Sequence, residues 1–108
     1  MKQLPYRAQT ATGDTIDIEF PLHAETESPV KVSQLLTAVL ETIDKEVAVA
    51  EPMANGDVLQ ALAMAVAIRS RMIHAPSEIT SDLAKTVTAY ALDAATNAKI
   101  NRAMHGNA

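Results

Sequence analysis

Between Val58 and Ile68 a single polar residue, Gln60, interrupts an otherwise apolar run, and Asp57 and Arg69 bracket it. The run falls well short of the ~20 residues a membrane-spanning helix needs. It belongs to a longer helical pattern, expected over residues 56–74. At helical spacing Leu59, Leu62, Val66 and Ile73 form one stripe, and Val58, Ala61, Ala65, Ile68 and Met72 form another. Ala63, Met64 and Ala67 fill most of the remainder. A helix that is apolar on all sides has to be surrounded on all sides. In a chain of 108 residues few neighbours are available. Either this helix is central, or part of it faces a second copy.

The flanking segments supply those neighbours. Residues 4–22 alternate: Leu4, Tyr6 and Ala8 share one parity, as do Ile16, Ile18, Phe20 and Leu22. A period of two marks strands. Thr12-Gly13-Asp14 lies between the two runs and reads as a tight turn in which Gly13 takes positive φ. The expected element is a β-hairpin with one apolar face, which must pack on a helix or extend another sheet to be stable. Ser28-Pro29 is a helix start, a capping residue followed by a first-turn proline. A helix is expected over 29–48, with Val32, Leu35, Leu36, Val39, Leu40, Ile43 and Val47 as its apolar stripe. Ser77 or Thr80 starts a last helix, expected over 78–104. Leu83, Val87, Tyr90, Ala91, Ala94 and Ala98 form its stripe, and Gly106 is its expected stop. The expected fold class is α+β, mostly helical: one domain over 1–108 with an N-terminal β-hairpin followed by three α-helices. An all-α three-helix bundle with an extended N-terminal arm is the alternative.

Composition bears on the core. Alanine supplies much of the 48% apolar content, and aromatics make up 3%. Alanine buries little area, so the core is expected to be thin. Thin cores in small chains are often completed by a second subunit. A homodimer is therefore the expected state.

The chemistry that can be excluded is broad. Net charge is −4, which argues against nucleic acid as a partner, since phosphate contacts need a basic face. The chain has no cysteine, so disulfide and thiol chemistry are out and a cytoplasmic location is expected. Met1-Lys2-Gln3-Leu4-Pro5 lacks the apolar run of a signal peptide, and no membrane partner is expected. Gly13 and Gly56 are isolated, so no phosphate-cradling loop is present. No nucleophile-elbow pattern surrounds any serine or threonine. No catalytic residues and no cofactor are assigned.

Three clusters of polar side chains could carry chemistry. His23, Glu25 and Glu27 alternate in a connector, which favours a solvated linker over a metal site. Glu41, Asp44 and Glu46 lie on the polar side of the first helix, which favours a solvated face over acid/base chemistry. Arg69, Arg71 and His74 sit near the end of the second helix. There they complement the negative end of its dipole, or serve as an anion-binding clamp. Met64 and Met72 are expected to fill the core, and Met53, in a loop, to be exposed.

Three functions follow in order of preference. The first is a small interaction or regulatory protein acting through a homodimer or a protein partner, with Val58, Ala61, Ala65, Ile68 and Met72 as its interface. The second is a small-molecule, anionic-ligand binding module, with a pocket lined by Ile18, Phe20 and Tyr90 and Arg71 or His74 at its mouth. The third is an enzyme without a recognisable motif.

Overall fold

The computed structural model describes residues 2–50 and 52–103. Its elements are β1 (Gln3–Gln9), β2 (Thr15–Pro21), α1 (Pro29–Val49), α2 (Asn55–Arg71), α3 (Ser77–Thr96) and β3 (Lys99–Asn101). The fold is α+β and mostly helical, an N-terminal antiparallel hairpin followed by three helices. The all-helical alternative is set aside by the hairpin. The chain divides into two compact units, residues 1–34 with 89–108, and residues 35–88.

The first unit is built on the hairpin. Leu4 pairs with Phe20, Tyr6 with Ile18 and Ala8 with Ile16, so the apolar parities of both strands share one face, as the alternation requires. Thr10 holds the turn: its N–H donates to the Asp14 carbonyl at 2.9 Å and its hydroxyl accepts the Asp14 N–H at 3.0 Å. Gly13 takes φ +92° there. The opposite face carries Arg7 and Asp17 as cross-strand partners, joined by Nε–Oδ1 at 2.7 Å.

The C-terminal segment departs from the expected helix over 78–104. α3 stops at Thr96, where Thr96 Oγ1 and Asn97 Nδ2 bond back to the carbonyls of Leu92 and Asp93. Lys99–Asn101 then joins the sheet as a third strand, in order β1-β2-β3. Ile100 pairs with Ile16 and extends the apolar face, while Lys99 pairs with Asp17. Asp14 fastens this strand, accepting the Ala103 N–H and pairing with Arg102 at 3.3 Å. The expected end at Met104 and stop at Gly106 lie outside the described residues.

Helix starts follow local chemistry. Ser28 caps α1, its hydroxyl accepting the Lys31 N–H at 3.2 Å. At α2 the N-cap is Ala54, and Asp57 accepts the Ala54 N–H at 3.3 Å. This is half of a capping box, since alanine has no side-chain acceptor to return the bond. Ser77 is the first residue of α3, and the Pro76 carbonyl accepts the N–H groups of Ile79 and Thr80. α2 ends at Arg71, short of His74.

Candidate interaction surface

The second unit contains residues 35–49 of α1, all of α2, and residues 77–88 of α3. Its helices meet along one groove of about 400 Å³. Val39 comes from α1, Leu62, Val66 and Ile73 from α2 and its C-terminal extension, and Leu83 and Val87 from α3. α1 turns Leu36, Leu40, Ile43 and Val47 to half-buried positions at 3–4 residue spacing. The rest of its predicted stripe stays open: Leu35 is exposed, as are Val32 and Val39.

Burial in this unit is slight. Among its described residues the buried side chain is Thr80, and no apolar residue is buried. α2 is the extreme case, with no buried residue along its length. Only Val58, Leu62 and Ser70 reach half-burial; every other residue of the helix is exposed. The helix is therefore not buried at the centre of this unit. Within the helical unit α1 and α3 leave most of α2 exposed.

The expected interface residues fall on this open surface. Ala61, Ala65, Ile68 and Met72 are exposed and Val58 is half-buried. Met64 joins them: Met64 and Met72 are each 54% exposed and Ile68 56%. The expectation that the two methionines fill the core is corrected, because α1 and α3 do not cover that side of α2. Met53, expected in the open, is half-buried. The sequence signal that includes Met64 is the all-round apolarity of α2 itself.

The three cations do not gather in the groove. Arg69 lines it and donates Nη1 to Met72 Sδ at 3.0 Å, whereas Arg71 and His74 are not among its lining residues. Arg69 and Arg71 occupy the last turn of α2, the place where cations suit the helix dipole. His23 Nδ1 accepts the Glu25 N–H at 3.0 Å, a local turn contact. Among the described residues no three His, Asp or Glu side chains come together as a metal would require.

The first unit offers a different hollow. A cleft of about 710 Å³ is lined by Tyr6, Arg7, Asp17, Glu19, Asp93 and Lys99, among others. It presents three carboxylates against two cations. Arg7 is already engaged: its hydrogen bond and charge hold the Asp17 carboxyl below its ordinary pKa, and Asp17 raises that of Arg7. That balance does not suit an anionic ligand. Tyr90 lines a separate hollow with Leu22 and His23, so the apolar residues expected to share one pocket are divided.

The sheet edge is guarded. The Leu22 N–H donates to the Lys2 carbonyl at 2.7 Å, and the Thr10 N–H to that of Asp14. Even-numbered residues of β1 therefore bond to β2, and odd-numbered ones face outward. Pro5 is at such an outward position and has no N–H to give. A proline there obstructs an added strand.

Among the described residues no helix is long and apolar enough to cross a membrane. Comparison with protein-family models, with curated proteins and with solved structures finds no match.

Proposed function

We propose that this chain is a small interaction protein that works as a homodimer, with the helical unit 35–88 as its contact surface. The observation that carries the reading is that no apolar residue of this unit is buried among those described. Burial of apolar surface is the main favourable term in folding. A three-helix unit that leaves Leu35, Leu59, Met64, Ile68, Met72 and Ile79 more than half exposed leaves most of that term unused. Association with a second copy recovers it.

The area supports this. The chain exposes 8430 Å². Two separate compact bodies, each with half of the 11.5 kDa mass, would together expose about 7,000 Å². The excess, roughly 1,400 Å², is more than the ~800 Å² each partner gives to an ordinary specific interface. A cytoplasmic setting is part of the proposal, on the cysteine-free composition.

Native mass spectrometry of the protein isolated from its own cells tests the reading. A mass of twice 11.5 kDa is expected. A monomer across the concentration range in sedimentation would overturn it. A complex with a different protein would replace the second copy by that partner.

A further inference from the structure

We infer that the second copy docks with its α2 antiparallel to the first, along the stripe Ala61, Ala65, Ile68 and Met72. The inference rests on the homodimer reading and adds its orientation and its contact residues.

Two observations carry it. The first is which side of α2 remains uncovered. Leu62, Val66 and Ile73 line the groove shared with α1 and α3. At ~100° per residue, Ala61, Met64, Ile68 and Met72 lie to one side of that line, and none of them lines the groove. Ala65 borders both. The stripe thus remains after the chain's own helices have met, with Met64, Ile68 and Met72 more than half exposed. Ala61 and Ala65, at its N-terminal end, allow close backbone approach.

The second is charge. The charged residues of α2 are Asp57 in its first turn and Arg69 and Arg71 in its last. Asp57, Met64 and Arg71 are spaced by seven and follow one flank of the stripe. A parallel pair would put both Asp57 residues at one end, on opposite sides of the seam, and both Arg71 at the other, so no opposite charges would meet. An antiparallel pair sets Asp57 of each copy beside Arg71 of the other, twice by symmetry. It also opposes the two helix dipoles. The acidic first turn and basic last turn of this helix match the same helix reversed, so a second copy fits the stripe as its occupant.

Cysteine cross-linking tests the orientation cleanly, because the chain has no cysteine of its own. Single variants Ala61→Cys, Ala65→Cys, Ile68→Cys and Met72→Cys would be oxidised, alone and in an Ala61→Cys plus Ile68→Cys mixture. In a parallel pair every position meets its own copy. In an antiparallel pair only a position at the axis can. The expected result is a strong heterologous cross-link in the mixture and self-cross-linking at Ala65 alone. Self-cross-linking at all four positions would mean a parallel pair and overturn the inference. A wild-type dimer in sedimentation with no cross-link anywhere would place the interface elsewhere and overturn it too. A wild-type monomer would instead overturn the homodimer reading, and this inference with it.

Discussion

Replacing Ile68 with alanine separates an interface residue from one that is merely exposed. Full burial of an isoleucine side chain stabilises by about 1.5–3 kcal/mol. In the single chain Ile68 is 56% exposed, so roughly half of that stabilisation is left for an interface to realise. Allowing for the methyl that alanine keeps, the loss is about 1 kcal/mol per copy. A twofold interface counts it twice, about 2 kcal/mol, which weakens the dimer ~30-fold. The effect within one chain has the opposite sign, because alanine favours helix over isoleucine by a few tenths of a kcal/mol. Sedimentation equilibrium reads the dimer constant and far-UV circular dichroism the helix content. Dissociation with helicity retained is expected, and Glu41→Ala, on the polar side of α1, should leave the dimer constant unchanged. A dimer constant altered by less than about threefold, with the helix intact, would refute the argument, since burial of a half-exposed isoleucine has to register at that size.

Three further outcomes test the fold. Ser28→Ala removes the acceptor of the Lys31 N–H and should cost about 1 kcal/mol in urea unfolding; an unchanged midpoint would show that water caps α1 equally well. Gly13→Ala forces a side chain into φ +92° and should cost about 1–2 kcal/mol. The added Cβ would meet Ala103 Cβ at an ordinary 3.4 Å, so Gly13→Asn, tolerant of that backbone, should cost less, and equal losses would point to a steric cause. The Asp17 carboxyl is held below its ordinary pKa chiefly by its hydrogen bond from Arg7. A lowered folded-state value means the contribution is present above the ordinary aspartate range and is lost as pH falls through the folded value. Asp17→Asn should therefore reduce the loss of stability that wild type shows on acidification below about pH 4, and parallel curves for the two proteins would exclude this pair as a source.

Much of the hairpin and helix plan is local in origin, and that part was legible. Alternation in 4–22 put Leu4, Tyr6 and Ala8 on the same face as Phe20, Ile18 and Ile16 because side-chain direction in a strand follows parity alone. Thr12-Gly13-Asp14 marked the turn and Ser28 the start of α1 because both act through hydrogen bonds a few residues away. The third strand was not legible. Lys99-Ile100-Asn101 has one apolar residue and no period. It becomes a strand because Thr15, Ile16 and Asp17 offer a free edge and Asp14 holds Ala103 across 89 residues of sequence.

The candidate surface divides along the same line. Sequence alone determined that α2 is apolar on every side, and so that something must cover it. It could not say whether the chain covers α2 itself, because exposure depends on how many other segments pack against a helix, and that is a property of the tertiary structure. The structure decided it for the helical unit: the groove with α1 and α3 takes Leu62, Val66 and Ile73, while Met64, Ile68 and Met72 remain open. Periodicity fixes which residues share a face; the number and spacing of neighbouring helices fix whether that face meets protein or water.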